Sequence, residues 1–196
     1  MKTLITEFIS LDGVVQAPGG ASEDTDGGFG HGGWSIPYFD PAVMGGMYTE
    51  LAGQSDALLQ GRRTYQASAG AWPGRSGDPF SDWINGVQKY VVSNTLTEQD
   101  IVWNPTTIIR GDQLVQTVSR LRTQPGGYLY VYGNAMMVRS LLAADLVDEL
   151  LLTIEPIILG GGKTIFAADG KAIPFTLQST ARASTGAQVC RYVRAR

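Results

Sequence analysis

Residues 128–134 read YLYVYGN. The run of aromatic and β-branched residues predicts a short strand, and Gly133 and Asn134 predict a turn into the helix that follows. The same order of strand, glycine and helix recurs at residues 56–65, which read DALLQGRRTY. Strands that alternate with helices in this way are typical of a sheet whose strands run parallel, because each helix returns the chain to the same sheet edge.

The rest of the chain continues this alternation. Strands are expected at residues 2–9, 89–93, 106–109, 150–158, 175–182 and 187–194, and helices at about 41–53, 79–87 and 112–122. The pattern predicts one α/β domain over residues 1–196, a three-layer α/β/α sandwich with a mostly parallel central sheet. The last two strands predict a C-terminal antiparallel hairpin, whose apolar edge is compatible with a homodimer.

Composition excludes several classes of function. Apolar residues make up 43% of the 196 residues, and the formal net charge is −3 with no basic stripe, so nucleic acid is not an expected partner. No stretch approaches the roughly 20 apolar residues of a membrane span, so no membrane partner is expected. With one cysteine, Cys190, and one histidine, His31, we expect no disulfide and no metal site, and a cytoplasmic protein.

Two glycine motifs in the chain lack the context that nucleotide binding requires. Residues 28–33 match G-x-G-x-x-G, but they lie in a long polar loop, residues 16–35, with no strand directly before them and no helix after. Residues 162–164 resemble the end of a P-loop, but the first glycine of that motif would fall at Ile157. A phosphotransferase is therefore a disfavoured alternative.

Three other junctions place small or polar residues where a strand ends, which is the ligand-binding edge of an open α/β sheet. The residues at these junctions are Gly61, Arg62, Arg63 and Thr64, then Ser93, Asn94 and Thr95, and finally Gly133 and Asn134. Free N–H groups at a helix start favour phosphate, and the arginines add positive charge. Since no carboxylate stands at residues 93–95, the pattern favours a nucleotide that carries a 2′-phosphate.

Five segments in this order and spacing resemble the dihydrofolate reductase superfamily. They read SLDG at 10–13, GRRTY at 61–65, KYVVSNTL at 89–96, VYGN at 131–134 and EPIILGGG at 155–162. Within the superfamily, the chain is most similar to the C-terminal reductase domain of the bifunctional riboflavin-biosynthesis deaminase-reductase. The resemblance spans essentially the whole chain, although the deaminase domain is not part of it.

The resemblance implies a dihydrofolate-reductase-like fold and NADPH as hydride donor. By the same resemblance, Gly61, Arg62 and Thr64 hold the pyrophosphate; Ser93, Asn94 and Thr95 meet the adenosine end; Gly133 and Asn134 lie under the pyrophosphate; Leu11, Asp12 and Gly13 border the nicotinamide; and Thr153 lies at the floor of the substrate pocket. These residues predict an oxidoreductase with a small-molecule substrate.

One expected group is missing from the pattern. Dihydrofolate reductases carry a carboxylate in the first long helix, and that position falls near Gly45 and Gly46, where no acid stands. Asp40 and Glu155 are the candidate proton donors or substrate anchors in its place, and Trp34 is a candidate to stack on a flat substrate. The resulting prediction is an NADPH-dependent reductase similar to 5-amino-6-(5-phosphoribosylamino)uracil reductase, acting on a heteroaromatic or ribosylamino-pyrimidine-like substrate. The alternative is a non-catalytic, ligand-binding member of the same fold.

Overall fold

The structure is a computed structural model that describes residues 1–195. Its strands and α-helices, in chain order, are β1 (Lys2–Ser10), α1 (Gly46–Gly53), β2 (Ser55–Gly61), α2 (Arg62–Ala71), α3 (Pro79–Gly86), β3 (Gln88–Val92), β4 (Thr106–Ile109), α4 (Leu114–Arg122), β5 (Tyr128–Val131), α5 (Ala135–Ala143), β6 (Glu149–Glu155), β7 (Phe175–Arg182) and β8 (Gln188–Arg194). The predicted alternation of strands and helices is confirmed.

The strands form one sheet in the order β4-β3-β2-β5-β1-β6-β8-β7. All neighbours from β4 to β6 pair in parallel, whereas β8 is antiparallel to β6 and β7 is antiparallel to β8. The mostly parallel sheet and the C-terminal hairpin are therefore confirmed. This order brings the carboxyl ends of β2, β5, β1 and β6 next to one another at a single edge.

Helices cover both faces of the sheet, which gives the predicted three layers. On one face, Val118 of α4 and Leu141 of α5 belong to one buried apolar cluster. On the other face, Leu51 of α1, Tyr65 of α2 and Ile84 of α3 belong to a second. Because the two clusters lie on opposite sides of the strands, the near-continuous apolar character of the central strands follows from burial on both faces.

The sixth strand ends earlier than the sequence predicts. The expected strand at 150–158 stops at Glu155, because Pro156 has no N–H to donate to a sheet ladder. The N–H of Ile157 instead donates to the carbonyl of Glu155 at 2.7 Å, so the chain turns away from the sheet. The turn leaves Glu155 as the last residue of the strand.

The first long helix begins as the sequence predicts but winds differently. The Asp40 carboxylate accepts the N–H of Ala42 at 3.0 Å, so Asp40 caps the first turn. The first turn, Pro41–Gly45, is a π-turn, and α1 follows directly at Gly46. A π-turn has more residues per turn than an α-helix, so it changes which later side chain faces the sheet.

The two discounted glycine motifs have the irregular structure expected of them. Gly33 leads only into a short 3₁₀ turn, Ile36–Tyr38, and no α-helix follows it before α1. Thr164 forms an isolated β-bridge with Val14, so residues 162–164 do not open a helix as a P-loop does. Within residues 1–195, no helix has the length and apolar character needed to cross a membrane.

Candidate functional site

The turns after β2 and β5 meet in a narrow cradle of backbone. A Cβ added at Gly61 would lie 2.5 Å from the side-chain nitrogen of Asn134. A Cβ added at Gly133 would collide with the Thr64 hydroxyl, and Gly133 also has a φ of +51°, which disfavours other residues. The structure thus brings together two of the predicted junctions. Gly133 leaves no room for a side chain, and a side chain at Gly61 would displace the Asn134 amide.

The start of α2 offers free N–H groups to this cradle. Gly61 occupies the cap position and has no side chain to bond the first-turn amides. The start of α5 is different, because the Asn134 side chain accepts the N–H of Met137 at 2.9 Å. The positive end of a helix dipole with unsatisfied amides favours an anion, so α2 is the better phosphate site of the two.

The two arginines of α2 differ in their contacts. The Arg62 guanidinium is exposed and makes no hydrogen bond or ion pair with residues 1–195. Arg63 pairs with Asp24 at 2.9 Å and with Asp26, both in the long polar loop, and Lys163 contacts the same carboxylates at 2.5 and 2.8 Å. These two cations lower the pKa of Asp26 to about 2. Arg63 is therefore able to bind a phosphate only after its ion pairs with Asp24 and Asp26 break.

The predicted adenosine-end residues use most of their acceptors within the protein. The Ser93 hydroxyl accepts the N–H groups of Thr95 and Leu96 at 3.1 and 2.9 Å. The Asn94 carbonyl oxygen accepts the N–H of Gly111 at 2.8 Å. The structure therefore places all three at the end of β3, where they shape a turn.

Arg110 is a cation beside this turn that the sequence analysis missed. Its guanidinium donates to the carbonyls of Ser93 and Leu96, both at 3.0 Å. The signal was present in the sequence, because Arg110 directly follows β4 as Ser93 follows β3, and parallel strands end at the same edge. Arg110 is thus a second candidate for contact with a phosphate at this end.

Residues 11–13 lie where β1 ends, beside a cavity. Asp12 accepts the Ser10 hydroxyl at 2.6 Å and the backbone amides of residues 159–160 at 3.1 and 2.8 Å, and these bonds hold its pKa below the usual range. Leu11 is exposed and Gly13 has a φ of +84°. Together with Ile9, Leu152, Ile154 and Phe166, they line a cavity of about 380 Å³. Asp12 holds the backbone of residues 159–160 in place, whereas Leu11 is accessible to a ligand.

Glu155 combines burial with an unused oxygen. One carboxyl oxygen accepts the Ser35 hydroxyl at 2.6 Å, whereas the other has no hydrogen-bond partner in the described part of the chain. Burial raises the pKa of Glu155 to about 7. Such a carboxyl group holds a proton near neutral pH and is able to donate it, which is the chemistry expected of an acid catalyst.

Tyr48 and Thr153 lie on the same face of the sheet as Glu155. The two hydroxyls are 2.6 Å apart, and the Tyr48 ring contacts Phe8 at a centroid distance of 5.9 Å. Burial raises the pKa of Tyr48, so its phenol stays protonated. Tyr48 was missed from the sequence, where the pocket-facing position of the first long helix was expected near Gly45 and Gly46.

Asp40 and Trp34 have structural contacts that occupy them. The second oxygen of Asp40 accepts the N–H and hydroxyl of Ser184 at 2.8 and 2.7 Å, and these bonds lower its pKa. The Trp34 ring is buried, and its indole N–H donates to the carbonyl of Gln16 at 2.8 Å. Proton donation by Asp40 and substrate stacking by Trp34 stay predictions, and these contacts count against both roles.

Glu7 is a further buried carboxyl group that the sequence analysis missed. It accepts the N–H of Gly133 at 3.1 Å, so it lies directly against the cradle. Burial raises its pKa to about 8. The signal was the alternation of β1, in which Ile5 and Ile9 face the core and Glu7 stands between them at the same parity.

Comparison with known proteins agrees with this architecture. Residues 2–189 match the RibD C-terminal domain family. The chain belongs to that family. It is 28% identical over 190 residues to an uncharacterized Bacillus subtilis protein, YyaP, and the match covers 94% of this chain and 90% of YyaP.

Two solved structures share the fold of this RibD C-terminal domain protein. A Shewanella sp. PV-4 protein, provisionally named for riboflavin biosynthesis, has a TM-score of 0.76 at 22% identity, with 100% of both chains covered. A Thermotoga maritima diaminohydroxyphosphoribosylaminopyrimidine deaminase/5-amino-6-(5-phosphoribosylamino)uracil reductase has a TM-score of 0.66 at 12% identity. The match covers 99% of this chain but 56% of the Thermotoga protein. At these identities the likeness establishes the fold alone.

Proposed function

We propose that this RibD C-terminal domain protein is an NADPH-dependent reductase that transfers hydride to a heteroaromatic or ribosylamino-pyrimidine-like carbon. The observation that carries the proposal is the pairing of two features at one sheet edge. The glycine cradle at Gly61 and Gly133 suits a dinucleotide pyrophosphate, and the buried acid Glu155 ends a strand of the same edge. The name of the Thermotoga protein supports the substrate class.

The residues of the cradle fit the cofactor. The free amides of the first turn of α2, together with Thr64 and Arg62, would hold the pyrophosphate, while Gly133 lets its turn pack directly against Thr64. Arg110 is the cation nearest to the β3 turn that would bind the 2′-phosphate. When bound, the cofactor supplies hydride, so the protein needs to supply only position and a proton.

The proton is assigned to Glu155. Hydride adds to an electrophilic carbon of the substrate, and the adjacent heteroatom takes a proton from the unpartnered oxygen of Glu155, leaving a carboxylate. The Ser35 hydroxyl fixes the other oxygen, so the acid keeps one orientation. The paired hydroxyls of Tyr48 and Thr153 lie beside it as neutral hydrogen-bonding groups for the substrate.

Fluorescence titration with NADPH and with NADH tests the cofactor assignment, since the chain has four tryptophans. We expect NADPH to bind at least tenfold more tightly, because a 2′-phosphate gains charge-assisted hydrogen bonds. Gly133→Ala should lose affinity because its Cβ meets Thr64. Gly70→Ala is the matched control, because a Cβ at that position in α2 meets no atom within 4 Å. Equal NADPH affinity of Gly133→Ala and Gly70→Ala would contradict the assignment of the cradle as the cofactor site.

One observation favours the alternative of a non-catalytic ligand-binding protein. The first long helix carries no carboxylate at the position where dihydrofolate reductases have one, because Gly45 and Gly46 stand there. A panel of pterins and pyrimidines, screened for oxidation of NADPH by the purified protein, separates the two functions. Turnover of any member excludes the binding-only alternative, and NADPH binding without turnover across the panel supports it.

A further inference from the structure

Glu7 occupies a position that ordinarily belongs to an apolar residue. It lies on β1 between Ile5 and Ile9, which are both part of the apolar cluster under α4 and α5. Its side chain is 7% exposed. An ionised carboxylate in such surroundings is costly, so a residue of this kind needs a partner or a proton.

The partner of Glu7 is the turn that forms the cradle. Strand β5 ends at Val131, and Gly133 lies in the turn that follows. The N–H of Gly133 donates to the Glu7 carboxyl group at 3.1 Å. Gly133 packs against Thr64 so closely that no side chain fits between them. A buried N–H without an acceptor is unfavourable, so Glu7 fixes the height and direction of this turn.

The surroundings of Glu7 favour its protonated form. Burial is the main cause of its raised pKa, the hydrogen bond from Gly133 opposes the rise, and the carboxylate of Glu23 in the long loop adds to it. Tyr48 of α1 and Tyr130 of β5 are the phenols whose titration Glu7 influences. Of the cations of the adjoining helices, Arg63 of α2 pairs with the loop acids and Arg139 of α5 donates to Thr164, whereas Arg62 of α2 is exposed.

We propose that Glu7 is a positioning residue of the cofactor cradle, which holds the Gly133 turn as a neutral carboxyl group and weakens cofactor binding when it ionises. The inference rests on the proposed function, because the anion placed above the turn is NADPH. A neutral group beneath the turn adds no repulsion to the phosphates, whereas a carboxylate there would repel them through a poorly solvated interior.

Two variants separate the hydrogen bond from the charge. Glu7→Gln keeps an acceptor oxygen for Gly133 and cannot ionise, whereas Glu7→Leu has the apolar shape but no acceptor. NADPH affinity is measured for both variants and the wild type at pH 6.5, 7.5 and 9. The wild type should weaken about fivefold to tenfold between pH 7.5 and 9 relative to Glu7→Gln, because ionisation of a nearby like charge opposes an anion. Glu7→Leu should bind more weakly at every pH.

A second measurement is independent of the cofactor. The folded-state pKa of Glu7 is raised from 4.5 to about 8, so its stabilising contribution is complete below pH 4.5 and is lost as the pH rises through 8. The free energy of unfolding of the wild type, relative to Glu7→Gln, should therefore fall across that window. Urea titrations at several pH values report it, and circular dichroism shows whether Glu7→Leu still folds.

The outcomes distinguish the failure of this inference from the failure of the proposed function. If the wild type binds no NADPH at any pH, the reductase proposal and the role of Glu7 are both refuted. If the wild type binds NADPH but Glu7→Gln shows the same pH dependence of affinity, the charge effect is refuted. Unchanged NADPH affinity in a folded Glu7→Leu would refute the positioning role.

Discussion

Replacing Glu155 by glutamine tests the assignment of the proton donor. The change keeps the shape of the side chain and an oxygen for the Ser35 hydroxyl, which donates to Glu155 at 2.6 Å. It removes the one proton that the carboxyl group is able to donate. Because the fold and the substrate contacts stay, we expect kcat to fall far more than KM rises.

The magnitude follows from the raised pKa. At the ordinary value of 4.5, about 0.3% of a carboxyl population is protonated at pH 7, whereas about half is protonated when the pKa is about 7. The same rise corresponds to about 3 kcal/mol between the charged and neutral forms. Removal of a positioned general acid costs about 100-fold to 10,000-fold in rate, so Glu155→Gln should lose at least 100-fold in kcat.

The assay is oxidation of NADPH with a substrate from the pterin and pyrimidine panel, followed from pH 5.5 to 9. The wild-type kcat should fall about tenfold per pH unit above 7, since the acid must be protonated, and the residual rate of Glu155→Gln should lack this titration. Glu50→Gln is the matched control, because Glu50 is exposed and its carboxylate accepts a single side-chain hydrogen bond within residues 1–195, from Gln54 at 3.2 Å. Wild-type activity in Glu155→Gln, or the same pH profile, would refute the assignment.

Three further predictions concern the neighbourhood of the site and the core. Tyr48→Phe removes the hydroxyl that bonds Thr153 and should lower the free energy of unfolding by about 1 kcal/mol in urea titrations. Lys89 is fully buried, and desolvation lowers its pKa from 10.5 to about 8. Between pH 8 and pH 10.5 the unfolded chain binds one more proton than the folded chain, so the free energy of unfolding of the wild type should rise with pH in that range. Lys89→Met should abolish the rise. Asp26→Asn weakens the loop's contacts with two cations and should speed chymotrypsin cleavage at Phe29, monitored by mass spectrometry.

The fold was predictable because its signals are local. The turns at Gly61 and Gly133 were found from strand endings followed by glycine, and in the structure a Cβ at either position would strike the other junction. The contact between the two turns could not be derived in the same way. It depends on β2 and β5 being adjacent in the sheet, although they are separated by three helices and two strands in the chain.

The site residues that escaped prediction did so for separate physical reasons. Tyr48 was missed because the pocket-facing position of the first long helix was placed near residues 45–46, whereas the side chain that reaches Thr153 comes from Tyr48, further along α1. Glu7 was missed because a charged residue in a strand suggests a solvated face. The ion pairs of Arg63 join segments about 40 residues apart, and no local pattern reports such contacts.

Both proton-holding carboxyl groups depend on the register of β1 against β6. The two strands pair in parallel, with Phe8 opposite Thr153 and Ser10 opposite Glu155. A shift of β6 by one residue would turn Glu155 to the face covered by α4 and α5, away from Tyr48. The register is held by apolar residues on both faces, among them Ile5 under α5 and Leu151 under α1, which are fully buried. The apolar packing that holds this register therefore also places the acid, because the register decides on which face of the sheet Glu155 lies.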